Sequence, residues 1–403
     1  MFLPARTPPR LSTLVLLTAV SVLSLNMFLP SLANIARDLN TSYVLASLSV
    51  SGYLAVTAVL QLLLGPVADR FGRRPVVLWT IAIFVAASFL CAVSGNIWVF
   101  LVARVFQGAI ISGSALASAI ISDTTEKAKA ASLMSYVAMA MAVAPMLAPV
   151  LGGALDMWFG WRSGFWLYTG LGLALLWLIW ADLGETNPSP ADTFLEQIRA
   201  YPELFRSRRF WGYAIVMSCG VGAFFLFISA APLVGEESFG LTPANVGIGI
   251  GSITGGFFIG SFLSGRFSAR MGLMWMIFAG RIFAAAGLGI ALLIIVLAGP
   301  NPYVFFAGAI CAGVGNGISI PSARAGSLTV RPHLAGSASG LSGALVTAFG
   351  AVLTALPGLL VTADNGPWMV LLLMLLLAVG AIVAAVFVWV VEQREAVVEH
   401  ANG

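Results

Sequence analysis

The stretch Gly65-Pro66-Val67-Ala68-Asp69-Arg70-Phe71-Gly72-Arg73-Arg74-Pro75 decides how the chain is read. It packs Asp69, Arg70, Arg73 and Arg74 between two long apolar runs, in a protein where only 9% of residues are charged. Gly and Pro at both ends predict a tight loop joining two helices. Charge at that density does not lie in hydrocarbon, so the loop is expected at a membrane face.

The remaining composition agrees. Of 403 residues 60% are hydrophobic, and the mean hydropathy is +0.99. A soluble domain is roughly 45–50% apolar and about 25% charged, so soluble classes are excluded. A spanning helix takes about 20 apolar residues, which leaves room for about twelve. The net charge of +4 is dispersed among loops and gives no nucleic-acid footprint. Cys91, Cys219 and Cys311 sit far apart inside apolar runs, without disulfide or metal spacing. Arg6 and Arg10 before Leu11–Leu25 look like a signal peptide. However, the apolar run continues to Ala33, so an uncleaved first span is expected.

Apolar runs separated by polar or Gly/Pro breaks predict twelve transmembrane helices, an all-α integral membrane fold. The first half, 1–183, has spans near 11–35, 42–65, 75–94, 97–122, 131–155 and 161–183. The second, 210–403, has spans near 210–234, 243–265, 273–298, 303–327, 335–361 and 367–391. Between them lies 184–209, the longest polar segment, read as a linker. Short-loop Lys/Arg bias sets orientation. Arg6 and Arg10, the clasp arginines, Lys127 and Lys129, the linker arginines, Arg266 and Arg270, Arg324 and Arg331, and Arg394 all fall on one side. Both termini are therefore expected to be cytoplasmic. Arg70-Phe71 and Arg74 match Arg266-Phe267 and Arg270 at an offset of 196 residues, with Gly265 where Asp69 stands. Such a match suggests duplicated halves with a substrate site near the midplane.

With those residues in view, the chain resembles the major facilitator superfamily over nearly its whole length. The clasp fits that family's loop 2–3 signature, G-x-x-x-D-R-x-G-R-R. Leu101-Val102-Ala103-Arg104-Val105-Phe106-Gln107-Gly108 resembles its fourth-helix signature. Ala148-Pro149-Val150-Leu151-Gly152-Gly153 resembles the antiporter element of the fifth helix, with Ala148 replacing the first Gly. Asn26-Met27-Phe28-Leu29-Pro30, Ala144 to Pro149, Gly160-Trp161-Arg162 with Phe165-Trp166, and Pro321 to Leu341 point further. They resemble the twelve-span drug exporters of the bicyclomycin/chloramphenicol-resistance type.

The resemblance implies roles for named residues. Gly65, Asp69, Arg70, Gly72, Arg73 and Arg74 would form a gate in which Asp69 holds the cytoplasmic side closed, against the bland reading of arginines that only fix topology. Arg104 and Gln107 would serve the central cavity and its coupling; an ionisable residue inside a span is a functional candidate by default. Arg281, near the start of span 9, reads instead as a structural side chain that snorkels to the cytoplasmic face. Pro145, Pro149, Gly152 and Gly153 would make a hinge in helix 5. Gly251, Gly255, Gly256 and Gly260 read as helix packing. Asn26, Tyr53, Gln61, Tyr136, Phe224, Phe227 and Asn316 are candidates for the cavity wall, Asn26 first among them.

One departure matters. The exporter type commonly has an acid at the position of Asn26, and an amide does not titrate. No other carboxylate falls near mid-span in the sequence. Either Asp69 or Asp123 carries a coupling proton at the cytoplasmic mouth, or transport is coupled otherwise or not at all. A missing buried anion also disfavours strongly cationic cargo; a neutral or weakly charged amphipathic compound fits better. The expected function is export of such compounds across the inner membrane by alternating access, by a monomer in the lipid bilayer without cofactors. The alternative is a facilitator or importer of a small metabolite. No metal spacing, nucleotide loop or nucleophile motif supports an enzyme.

Overall fold

The computed structural model describes residues 9–111, 113, 116–117, 120–121, 124, 127–186, 202–331, 335–362 and 364–402. Asp123 lies outside these, as do the side chains of Asp69 and Tyr136. All regular structure among the described residues is helical. The helices are α1 Leu11–Asn26, α2 Leu32–Asp38, α3 Tyr43–Phe71, α4 Arg73–Val93, α5 Ile97–Gln107, α6 Lys127–Phe159 and α7 Arg162–Asp182. Then come α8 Arg208–Leu233, α9 Pro243–Met271, α10 Leu273–Ala298, α11 Pro302–Thr329, α12 Ala335–Leu360 and α13 Gly366–Asn402. Ten helical segments among the described residues are long and apolar enough to cross a membrane, and 97–111 and 143–159 are shorter apolar helices.

The chain divides into two compact units. One comprises residues 1–194 with 241–251; the other comprises 195–240 with 252–403.

In the first unit, matching ends of helices are tied together by polar groups. The Arg10 backbone N–H and the Thr13 hydroxyl both donate to Asp182 Oδ2, at 2.7 and 2.6 Å. This joins the start of α1 to the end of α7. At the other end Arg162 reaches Asp38 at 2.5 Å and donates to the Ser94 carbonyl at 2.9 Å. The ends of α2 and α4 thereby meet the start of α7. Helix ends that alternate in this way are what consecutive antiparallel spans produce.

Two expectations about this unit are corrected. Span 1, Leu11–Asp38, is not one regular α-helix: α1 stops at Asn26, a 3₁₀ turn occupies Leu29–Ser31, and α2 resumes at Leu32. Pro30 supplies no N–H and disfavours helix at the residue before it, so the break falls there. Met27, Phe28, Leu29 and Ser31 are all buried, as irregular backbone at membrane depth requires.

The clasp is not a loop from Gly65 to Pro75 either. Helix α3 runs through Gly65 and Pro66 to Phe71, and α4 begins at Arg73. Only Gly72 stands between them, at φ 93°. Gly and Pro are tolerated inside membrane helices, so the chain turns where glycine alone fits the backbone.

The second unit closes in the same manner. Arg209 at the start of α8 meets Glu392 at 2.8 Å and Glu395 at 3.3 Å near the end of α13. Tyr213 adds a 2.6 Å hydrogen bond to Glu392. Arg331, just past α11, pairs with Glu203 at 2.8 Å. Around Phe210, Tyr213 and Val216 a buried cluster gathers Ile277, Leu341 and Val388 from three further helices.

Of the glycines of α9 read as packing, Gly256 and Gly260 pack against α11. A methyl at Gly256 would lie 2.6 Å from the Ile310 carbonyl oxygen, and one at Gly260 would fall 3.0 Å from Gly317 Cα. Helices α9 and α11 therefore approach backbone to backbone, the small-residue contact that membrane helices use.

Candidate functional site

The best-formed polar centre lies in the first unit, around Arg104. Asn96 starts α5 by accepting the Trp98 N–H on its side-chain oxygen at 2.7 Å. The helix places Arg104 and Gln107 three residues apart, hence on one face. Both are fully buried. Arg104 Nη1 donates to Gln107 Oε1, and Gln107 Nε2 reaches Ser88 Oγ of α4 at 2.6 Å. Arg104 Nη1 also donates to the Ser24 carbonyl at 3.3 Å. That carbonyl lies in the last turn of α1, where C=O groups run out of helical donors.

Aromatic rings complete the enclosure. The guanidinium carbon is 3.9 Å from the Phe28 ring centroid, 4.7 Å from Tyr53 and 6.0 Å from Phe165, within cation–π range. Tyr53 is tied to Ser24 Oγ at 2.7 Å, and Tyr168 donates to the Leu23 carbonyl at 3.1 Å. Phe28 is carried by the break after α1, so the irregular segment delivers a side chain to the centre. Among the described residues no carboxylate pairs with Arg104, and its Nε and Nη2 have no hydrogen-bond partner.

Asn26 is buried at the end of α1. Its Nδ2 donates to the Val22 carbonyl at 2.8 Å, while its Oδ1 is buried without a partner. Asn316 belongs to another constellation, in the second unit, where it donates to the Gly220 carbonyl at 2.9 Å. There Arg281 is buried at 1% exposure and donates from Nε to Ser319 Oγ at 2.8 Å. The expectation that Arg281 snorkels outward is therefore corrected. Its helix turns the side chain onto α8 and α11, where Gly220 leaves the room; a methyl there would lie 2.5 Å from Arg281 Nη1.

The clasp is anchored by a residue that the sequence reading did not single out. The Glu185 carboxylate, just beyond α7, accepts from the backbone N–H groups of Arg73 at 2.9 Å and Arg74 at 3.3 Å. These are first-turn donors of α4 that have no helical acceptor. Arg74 Nη2 donates to the Trp180 carbonyl at 2.9 Å, so the turn is fastened to the end of α7 twice.

In helix α6, Gly152 and Gly153 permit close approaches. A methyl at Gly152 would meet the Met27 carbonyl, at the break of span 1, and one at Gly153 would come 2.9 Å from the Pro243 carbonyl carbon. Pro145 and Pro149 both lie inside this continuous helix.

The sequence model described as "Major Facilitator Superfamily" matches residues 14–353. The chain belongs to that superfamily.

Curated relatives agree. The "Uncharacterized MFS-type transporter YdgK" of Bacillus subtilis is 30% identical over 350 residues, covering 85% of this chain and 87% of that one. The "Multidrug resistance protein MdtL" of Escherichia coli O45:K1 is 31% identical over 328 residues, covering 79% and 81%. Among solved structures, an inward-facing, unoccupied bacterial homologue of the human lysosomal transporter Spinster matches with a TM-score of 0.75 at 16% identity, covering 94% and 95%. The peptide transporter POT in complex with sulfate matches with a TM-score of 0.75 at 15% identity, covering 96% and 95%. These structures show the fold alone. The chain is thus a multi-pass membrane transporter of the superfamily and not an enzyme.

Proposed function

We propose that this superfamily member is a secondary active transporter that exports small amphipathic compounds across the inner membrane by alternating access. The observation that carries the reading is the 31% identity to a multidrug resistance protein over four fifths of both chains. The buried Arg104–Gln107 centre supports it, because a charged group inside a spanning helix costs several kcal/mol and is retained for function. The proposed topology has twelve spans, with halves at 1–183 and 210–403, a cytoplasmic linker at 184–209, and both termini cytoplasmic. Ten long apolar helices and two shorter ones among the described residues support that number.

Within this reading Gly65, Asp69, Arg70, Gly72, Arg73 and Arg74 form the cytoplasmic gate, and Pro145, Pro149, Gly152 and Gly153 the hinge. Asn26, Arg104, Gln107, Tyr136 and Asn316 serve the cavity. Proton coupling, where present, runs through Asp69 or Asp123. The test is accumulation of a neutral lipophilic dye by cells with and without the protein. Expression is expected to lower accumulation severalfold; unchanged accumulation across a broad compound panel sinks the export reading.

A second reading, a facilitator or importer of a small metabolite, is favoured by one observation: Asn26 stands where the exporter type carries an acid. In everted vesicles a proton antiporter releases protons when cargo is added. Release that survives Asp69→Asn and Asp123→Asn together removes both acids as carriers.

A further inference from the structure

Among the described residues, Arg104 is a buried cation without an anion. Arginine stays protonated at any accessible pH, so this group does not escape the cost of burial by losing a proton. Its neighbours satisfy it only in part. Nη1 has the Ser24 carbonyl and Gln107, and the rings of Phe28 and Tyr53 cover the face. Nε and Nη2 remain without hydrogen-bond partners although they are shut off from solvent. Those two nitrogens form a single edge of the guanidinium. Their N–H groups point in parallel, at the spacing that receives both oxygens of a carboxylate.

Arg281, the other fully buried arginine among the described residues, differs. Arg281 spends Nε on Ser319, so the same edge is already engaged by the protein. Of these two, Arg104 alone keeps a whole bidentate edge open, and its guanidinium lies under the rings of Phe28 and Tyr53. Such a setting selects an anionic head joined to a flat apolar body. It does not select a hydrated inorganic ion, which would lose its water and gain no ring contact.

We propose that the open edge of Arg104 binds the carboxylate of cargo that carries one, so that the compounds exported include amphipathic aromatic monoanions, weak acids ionised at neutral pH. This inference rests on the export reading and narrows its substrate class. Binding displaces the Phe28 ring from the guanidinium. Phe28 lies outside α1 and α2, at the start of the 3₁₀ turn between them.

The test uses the purified full chain in lipid nanodiscs, with 1-naphthoate and its neutral counterpart 1-naphthamide as probes of one shape. Naphthoate is expected to bind at least about tenfold more tightly, the scale of a charge-assisted hydrogen bond. Gln107→Glu places a carboxylate where Gln107 Oε1 already accepts from Arg104 and is nearly isosteric. It supplies an internal counter-ion and is expected to erase the naphthoate preference. Arg104→Gln is expected to erase the same preference. Equal binding of the two probes overturns the proposal, as does absence of naphthoate binding or a preference that survives Gln107→Glu. Displacement of naphthoate by acetate or phosphate at equal concentration assigns the edge to a free small anion and also overturns it. Export itself is decided separately by the neutral dye, whose accumulation does not depend on this edge.

Discussion

Two turns in this molecule have the same backbone and opposite chemistry. Helix α3 and helix α9 are each 29 residues long, and each is followed by one glycine and then another helix. Gly72 has φ 93° and ψ 149°; Gly272 has φ 82° and ψ 158°. The two turns match at an offset of 200 residues, where the sequence alone suggested 196. At that offset Gly65, Arg70 and Gly72 align in sequence with Gly265, Arg270 and Gly272, while Asp69 aligns with Ala269 and Arg73-Arg74 with Leu273-Met274. The first turn is fastened by Glu185 and Trp180; around the second, a methyl on Gly272 would meet nothing within 4 Å. What the fold needs from this element is a glycine. What the first copy adds is charge.

The largest effect is expected at the glycines. Both sit in a backbone region essentially reserved for glycine, and another residue there costs about 1–3 kcal/mol. Gly272→Ala is expected to lose that amount. Gly72→Ala is expected to lose about 1 kcal/mol more, because the new methyl would lie 2.9 Å from the Glu185 carboxyl carbon and push that side chain off its two donors. Thermal unfolding in detergent ranks the pair. Equal losses would mean that Glu185 adds nothing to the first turn.

Removing the fastening alone tests the same point with less disturbance. Glu185 is exposed, so water partly replaces it, and Glu185→Ala is expected to cost about 1 kcal/mol. The readout that distinguishes a local fastening from general destabilisation is amide exchange at Arg73 and Arg74. It is expected to accelerate about five- to tenfold, with no change at Leu273 and Met274 of the second turn. Acceleration at both turns alike would remove the assigned contact.

Much of this was legible in the sequence. The long apolar runs gave the helices, and the charge of the clasp marked an end between two of them. The misreadings have physical causes. Pro66 was read as a breaker and Pro30 was not, yet Pro30 breaks its helix and Pro66 lies within one. A proline's effect in a membrane helix depends on whether neighbours satisfy the freed carbonyls, which the local sequence does not state. Arg281 was placed by its distance from a span end, but the direction a side chain takes depends on the room a neighbour leaves, here Gly220. Glu185 fastens Arg73 and Arg74 across more than a hundred residues of chain, and nothing near it in sequence indicates that partner. Arg104 and Gln107 were readable because charge and amide are rare inside spans. The aromatic cap was not, since Phe28, Tyr53 and Phe165 are unremarkable in a chain with 11% aromatic residues.

The smallest predicted effect sharpens the comparison by supplying a control, a pair of helix starts with the same chemistry, one in each unit. Asn96 and Asn301 each precede a helix with extended backbone, at φ −138° and −139°. Asn96 accepts the Trp98 N–H at 2.7 Å. Asn301 accepts those of Tyr303 and Val304 at 2.9 and 3.3 Å. An N-cap asparagine exchanged for alanine costs about 1 kcal/mol, so Asn96→Ala and Asn301→Ala are expected to lower stability by similar amounts. Thermal unfolding of the two variants measures this. If they match while the glycine variants differ, the asymmetry between the repeats is confined to the charged turn. A gap between the asparagine variants as wide as that between the glycine variants would instead mean that one repeat is weaker throughout. The fastening by Glu185 would then no longer be needed to explain why the first turn is the more sensitive.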